Sequence, residues 1–420
     1  MMIFSSNVRK DPEVGKTQWK SLWTSFAGWT MDSMDAMLLA LVIPLLLTQW
    51  NMSTGEAGLI SSATLIGMML GGIVFGILGD YFGRVRMLTI TVIFFSIFTG
   101  LSAFAQDPVQ LGILRFLVGL GLGGEWGLGA SLISEYWPKK HRAKATSFVH
   151  SGYPVGYAIA SLLAFLILPT FGWRVLFLIG VLPAFVILLF RRGLKEPPNW
   201  RKKTQKVNKE KNTFTLLMLF KDGYAKRTIL ASLLLLFNLG AYWAASSWLP
   251  TFLVKSHNLS VGLASWFLIV LNIGAVFGHQ VFGFLSDKYS RKFTLLLGQS
   301  LSIVLIIAYM LIQNVVLLFL VGIIFGFVIY GYWGTFGAYL AELYPTHLRS
   351  TGVGFTFNIG RIGGALAPAV VGFMANNMEL SSAVLIFGSI CYIFGIMVTI
   401  LNKTEQVTTE FSNDKAILDN

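Results

Sequence analysis

The chain has 420 residues, of which 55% are hydrophobic and only 12% charged, and its mean hydropathy is +0.68. A soluble domain carries about a quarter charged residues, so the composition excludes an ordinary water-soluble protein and points to one dissolved in lipid. The net charge of +13 raises nucleic-acid binding as a possibility, which the placement of the charges then removes.

Residues 1–20 are polar and charged, without the short apolar core and small-residue cleavage site of a signal peptide. They are read as a cytoplasmic N-terminal segment. A run of about 20 apolar residues crosses a bilayer, and such runs follow at 21–48, 57–79, 87–106, 109–136, 145–169 and 173–192. The first carries Asp32 and Asp35, the fourth Arg115 and Glu125, and the fifth His150, Tyr153 and Tyr157 on one helical face. Residues 193–227 are polar and basic and read as a cytoplasmic linker. A second set of spans falls at 228–254, 261–285, 293–312, 315–341, 351–375 and 381–402. The tail, 403–420, is short and polar. The expectation is an all-α membrane protein of twelve transmembrane helices, with six-helix bundles at 21–192 and 228–402.

Of the 32 Lys and Arg, 28 lie on one side of the membrane, the side that holds the N-terminal segment, the even-numbered loops and the tail, with Arg191 and Arg192 at that end of the sixth span. Only Arg174 and Lys255 fall on the other side, and Arg115 and Arg361 fall inside spans. This positive-inside bias places both termini in the cytoplasm and explains the net charge by topology. No nucleic-acid partner is needed.

The two sets of spans are copies. Gly76-Ile-Leu-Gly-Asp80-Tyr-Phe-Gly-Arg84 recurs as Gly283-Phe-Leu-Ser-Asp287-Lys-Tyr-Ser-Arg291, and Glu135-Tyr-Trp-Pro138-Lys-Lys-His-Arg142 recurs as Glu342-Leu-Tyr-Pro345-Thr-His-Leu-Arg349. Asn51-Met-Ser53 returns as Asn258-Leu-Ser260, Gly119 as Gly326, Trp126-Gly127 as Trp333-Gly334, and Gly156 as Gly363. Every pair is 207 residues apart. Parallel repeats of this kind place a substrate path between the halves, near the bilayer midplane.

The segment Gly76–Arg86 resembles the loop 2–3 signature of the major facilitator superfamily, G-x-L-x-D-x-x-G-R-x-R/K. Arg115-Phe-Leu-Val-Gly119-Leu-Gly-Leu-Gly123-Gly124 is similar to its fourth-helix motif, and Lys195-Glu-Pro-Pro198 to the ending after its sixth helix. The second loop signature departs at Ser290, where glycine is usual. Within the superfamily the chain most resembles the bacterial sialate, aromatic-acid and nicotinate:proton symporters. Asp32-Ser-Met-Asp35 resembles their D-G-F/Y-D, and Gly123-Gly-Glu125-Trp-Gly127 the G-E-Y-G of sialate carriers. Asn358-Ile-Gly-Arg361-Ile-Gly363-Gly-Ala-Leu-Ala-Pro368 shares segments with all three. The mixture leaves the acid itself open.

Ionisable groups at bilayer depth cost at least ~2.5 kcal/mol each, so those retained face a cavity or a partner. Asp32 and Asp35 stand three residues apart on one turn, and the equivalent positions of the second half hold Leu239 and Tyr242. They are proton-coupling candidates, against a purely structural pairing. Glu125 is a third, against a packing pair with a cation elsewhere. Arg115 either tunes a helix-1 aspartate, as the family motif implies, or snorkels to the interface. Arg361 is the anion-site candidate, because guanidinium matches carboxylate in two parallel hydrogen bonds, against a structural pair with a helix-1 or helix-4 acid. Asn358 is three residues away on its face. Tyr153, Trp243, Tyr330 and Trp333 are candidates to line the path, and His150 is read as a packing residue. Asp80, Arg84, Glu135, Arg142, Asp287, Arg291, Glu342 and Arg349 sit at cytoplasmic helix ends and read as gating charge clusters between helices and halves.

Other functions find no support. There is no phosphate loop, the five histidines have no metal-ligand spacing, no nucleophile–base set appears, and the single Cys391 rules out a thiolate metal site or disulfide framework. An enzyme, a cofactor and a metal are not expected. The reading is a secondary transporter in the plasma (inner) membrane that imports a small organic acid with protons and works as a monomer. The rivals are a proton-coupled carrier of a neutral solute such as a sugar, a proton-driven drug exporter and, from another class, a channel or transporter-like sensor.

Overall fold

The computed structural model describes residues 11–191, 196, 218–221, 223–344 and 348–402, and its elements are helices alone. Most of the expected linker, the tail and the first ten residues lie outside them. In chain order the helices are α1 (Lys16–Gln49), α2 (Thr54–Phe82), α3 (Arg84–Ser102), α4 (Pro108–Tyr136), α5 (Lys139–His150), α6 (Gly152–Ile179) and α7 (Leu182–Arg191). The second half has α8 (Tyr224–Ser256), α9 (Val261–Lys288), α10 (Arg291–Leu311), α11 (Val315–Phe325), α12 (Phe336–Glu342), α13 (Arg349–Met374) and α14 (Leu380–Leu401). A π-helical turn, Gly326–Tyr330, and a 3₁₀ turn, Gly331–Thr335, join α11 to α12 into one crossing.

Among the described residues, eleven stretches are long and apolar enough to span a bilayer, one of them running over 148–179. That stretch holds a reversal. Gly172 has φ 73° and ψ −179°, a region essentially reserved for glycine, so the fifth crossing ends there and the sixth occupies 173–191. The architecture is the expected twelve helices in two pseudo-symmetric bundles. Its outer surface exposes Ile73, Ile77, Ile113, Leu166, Phe277, Leu320 and Ile400, as a lipid-facing wall must.

The 207-residue repeat is a repeat of contacts. A Cβ added at Gly119 would collide with the carbonyl oxygen of Thr64, and one at Gly326 with that of Leu271. Gly71 meets Leu120 O as Gly278 meets Phe327 O, and Gly67 meets Phe116 O as Gly274 meets Ile323 O. The seam between α2 and α4 is therefore rebuilt between α9 and α11, with glycines where backbones touch. Among the described residues, Asn51 and Asn258 are the two non-glycine positions with positive φ, 50° and 52°, which asparagine tolerates. The following Ser53 and Ser260 cap α2 and α9 by accepting from Glu56 N and Leu263 N. The Asn-x-Ser triplets are thus turn-and-cap devices.

The halves meet along α2–α13, α6–α9 and α1–α8. On the face away from the termini, Thr54 Oγ1 donates to Gly372 O (2.9 Å) and approaches Asn376 Oδ1 (2.8 Å). Ala369 N donates to Ser62 Oγ (3.1 Å), and Gly58 lies against Pro368 O. Phe165 of α6 packs beside Trp266 of α9, ring centroids 6.1 Å apart. The molecule is sealed on that face, and its central cavity lies on the termini side of the seal.

Candidate functional site

The cavity sits between the halves and gives about 130 Å³ to the centres of water molecules. A single water needs roughly 10–15 Å³ on this measure, so the space suits about ten water-sized groups. Its walls are aromatic. Tyr242 is the hub, its ring 5.6 Å from Trp243, 5.1 Å from Tyr330 and 5.5 Å from Trp333. Tyr153 stands 5.4 Å from Trp29 across the first half. All six of these line the cavity, with Phe336 and Phe357. Tyr153, Trp243, Tyr330 and Trp333, the candidates to line a path, are among them. Tyr157 is not: it is buried in the seam, its hydroxyl 3.5 Å from Ser246 O.

Few polar groups interrupt these walls: Arg361, His150, Asn272 and His279, besides the tyrosine hydroxyls and indoles. Arg361 reaches the cavity from mid-α13. Its Nη1 donates to Met68 O at 2.9 Å, and its guanidinium carbon lies 5.4 Å from the centre of the Phe357 ring. Asn358 is beside it but does not line the cavity. Its Nδ2 donates to Gly354 O (2.9 Å), while its Oδ1 has no partner among the described residues. Gly72 on α2 makes room for both, since a Cβ there would stand 2.7 Å from Arg361 Nη1 and 3.2 Å from Asn358 Oδ1. His150 lines the cavity, its ring 5.9 Å from that of Trp29.

Behind the wall of the first half lie three buried acids with three different surroundings. Asp35 accepts from Thr99 Oγ1 at 2.7 and 2.8 Å and faces Arg115 Nη1 at 3.9 Å. Arg115 is 1% exposed, donates to Ser102 Oγ through Nε (3.2 Å) and Nη2 (2.8 Å), and lies 4.4 Å over the Phe177 ring. It is held in the core and does not snorkel. Glu125 forms a buried ion pair with Nη2 of Arg191 and accepts from Thr91 Oγ1 (3.3 Å). Gly28 on α1 permits that pair, because any side chain there would strike the Glu125 carboxylate. Asp32, 2% exposed, accepts no hydrogen bond among the described residues. It feels the charges of Glu125, Asp35, Arg361 and Arg191 but pairs with none.

Hydrogen bonds to a charged group contribute about 1.5–3 kcal/mol. Thr99→Val should therefore lower stability by about that amount, seen as a reduced unfolding midpoint of the purified protein in detergent. An unchanged midpoint would show that the hydroxyl does not hold Asp35.

The charges at the termini face pair within each half. Arg84 Nε lies 3.5 Å from Glu135 Oε1, and the equivalent Arg291 Nε lies 3.0 Å from Glu342 Oε1, with Asp287 on its Nη1. The side chains of Asp80, Arg142 and Arg349 lie outside the described residues. Glu196, from the Lys195-Glu-Pro-Pro198 segment, accepts from Val85 N (3.1 Å) and Arg86 N (2.9 Å) and so caps α3. That anchoring role was not foreseen. Nor was Arg191, which charge counting assigned to the cytoplasmic surface and the structure buries at 5% exposure. Asn272 and His279 were also missed as cavity residues.

The model of the Major Facilitator Superfamily matches residues 25–368. The chain is 33% identical over 401 residues to a protein of Cupriavidus pinatubonensis named "Probable 4-methylmuconolactone transporter", covering 94% of this chain and 92% of that one. It is 32% identical over 413 residues to the cis,cis-muconate transport protein of Acinetobacter baylyi, covering 96% and 98%. Among solved structures it is similar to a bacterial homolog of the human lysosomal transporter Spinster, with a TM-score of 0.73 and 22% identity over 92% of this chain and 98% of that one. That likeness bears on the fold. With the family match over most of its length, and relatives named as transporters, this chain belongs to the Major Facilitator Superfamily and is a multi-pass membrane transporter, not an enzyme.

Proposed function

We propose that the protein imports a small organic acid together with protons, by alternating access of the halves 21–192 and 228–402 joined by the linker 193–227. The observation that carries this reading is Arg361: one guanidinium at the wall of an aromatic cavity, restrained by a single main-chain carbonyl and free to present its remaining N–H groups to a carboxylate. The aromatic walls suit an unsaturated or cyclic body. A relative named for the transport of cis,cis-muconate, a carboxylate, supports the same class.

Asp32 is the group we assign to the transported proton. It alone among the three buried acids has neither hydrogen bond nor ion pair, so a proton is what neutralises it. Asp35 with Arg115 and Glu125 with Arg191 are the fixed frame around it. The bias of 28 of the 32 basic residues puts both termini in the cytoplasm of a bacterial inner membrane. The sealed face is then the outer one, and the cavity lies on the inner side. The charge clusters Arg84–Glu135 and Arg291–Glu342, with Asp80, Asp287, Arg142 and Arg349, close the inner side when the halves rock.

The test is uptake into proteoliposomes under an imposed inward proton gradient, with labelled benzoate, 4-hydroxybenzoate, nicotinate, sialate, lactate and a neutral sugar. Accumulation of one or more acids above their equilibrium level, lost when a protonophore collapses the gradient, is the expected result. Accumulation of the sugar with no movement of any acid would overturn the reading.

A further inference from the structure

Helix α9 forms a wall of the cavity that takes no part in the scheme above. Asn272 and His279 stand seven residues apart, two helical turns, so they share a face, and both line the cavity. Asn272 is 1% exposed. Its Nδ2 donates to Leu268 O at 2.8 Å. A carbonyl oxygen only accepts, so this bond fixes which end of the amide is which. Oδ1 is the end left over, and it has no hydrogen-bond partner among the described residues. His279 follows the same pattern. Its Nδ1 lies 3.0 Å from Ala275 O, which puts the proton on Nδ1 and makes Nε2 of the neutral ring an acceptor. The α9 wall thus offers acceptors, where α13 offers the donors of Arg361.

The two groups stand at similar depth. Asn272 is eleven residues from Val261, about 16 Å along α9, and Arg361 is thirteen residues from Met374, about 20 Å along α13. Both distances are measured from the sealed face. Helices α9 and α13 form no packing seam with each other; α8 packs against both. A ligand lying across the cavity can therefore meet Arg361 with one end and Asn272 with the other.

We propose that Asn272 is a specificity-determining residue that accepts a hydrogen bond from a donor group, a hydroxyl or N–H, carried by the substrate at the end remote from its carboxylate. The inference rests on the organic-acid reading of the cavity and narrows it. A buried acceptor without a partner is uncommon because leaving it so is costly, and a ligand donor removes that cost. An unsubstituted acid leaves Oδ1 unmatched. A dicarboxylate, with acceptors at both ends, does the same.

Three acids of one shape separate the possibilities: benzoate, 4-hydroxybenzoate and 4-methoxybenzoate, the last keeping the oxygen and lacking the donor. Binding to the purified protein is read from tryptophan fluorescence, since Trp29, Trp243 and Trp333 line the cavity, and uptake is read in proteoliposomes. The wild type should favour 4-hydroxybenzoate over both others by about tenfold, the size of one net hydrogen bond. Asn272→Leu should erase that preference, so that 4-hydroxybenzoate binds no more tightly than benzoate or 4-methoxybenzoate. Equal affinity of the wild type for all three acids would overturn the inference while leaving the organic-acid reading intact, and so would a preference that survives in the variant. Failure of every acid to bind or move would overturn the organic-acid reading, and this inference with it. The wild-type comparison stands even if the variant does not fold.

Discussion

Arg361→Ala should abolish concentrative uptake of the acid and weaken its binding by about 100-fold. Charge-assisted hydrogen bonds contribute roughly 1.5–3 kcal/mol each way, and each 1.4 kcal/mol is a factor of ten. Arg361 is buried to 9% exposure in a cavity wall that is otherwise mostly aromatic, so a carboxylate there has no comparable cation to turn to. Its one restraint, Met68 O at 2.9 Å, fixes the guanidinium without filling it. Arg361→Lys keeps the charge but loses the planar fork, and should recover only a small part of the affinity. The measurement is a binding titration on purified protein beside proteoliposome uptake, with the unfolding midpoint as a control. Wild-type affinity in the alanine variant would remove Arg361 from the anion site.

Asp32→Asn should separate substrate movement from the proton gradient. Asparagine has the shape of the aspartic acid and no ionisable proton, so the variant is held in the equivalent of one protonation state. Exchange of labelled acid against unlabelled acid should continue, while accumulation driven by an inward proton gradient should vanish. The three buried acids differ in their partners. Asp35 has Thr99 and Arg115, and Glu125 has Arg191 and Thr91, whereas Asp32 has no bonded partner. An unpaired charge at bilayer depth costs at least ~2.5 kcal/mol, a cost that proton binding removes at each cycle. Asp35→Asn should behave differently. It strips Arg115 of its one ion-pair partner among the described residues, and so should lower the unfolding midpoint as well as the rate. If Asp32→Asn still accumulates acid in response to the gradient, the proton travels elsewhere.

The sequence displayed the fold because the bilayer constrains it so tightly: length, hydropathy and the bias of Lys and Arg left little freedom. The 207-residue offset held more than it was asked for. Cavity positions are paired by it, Leu65 with Asn272, Gly72 with His279, Pro154 with Arg361 and His150 with Phe357. Of these eight, all but Gly72 line the cavity. Set side by side, they place most of the polar wall in the second half, opposite the acids Asp32, Asp35 and Glu125 of the first. Arg191 could not be read this way. It lies at the end of an apolar run, next to Arg192 and the basic linker, where surface exposure is the ordinary outcome. Only the close approach at Gly28 shows that α7 brings it to Glu125. Hydropathy likewise says nothing of which amide oxygen goes unmatched, since that depends on the Asn272 Nδ2 bond to Leu268 O.

If the halves rock as proposed, the seam between α2 and α13 governs how the face away from the termini opens. Gly58 rests on Pro368 O, and Gly372 rests on Thr54 O, backbone against backbone at both points. Dispersion contacts of this kind lose a quarter to a half of their attraction when surfaces part by 0.5–1 Å, and the bonds beside them at this end, Thr54 Oγ1 to Gly372 O and Ala369 N to Ser62 Oγ, come from side chains too short to follow a widening gap. In that motion such a seam would part as a unit, and a half-open intermediate, through which protons or water could slip past the substrate, would keep few of these contacts.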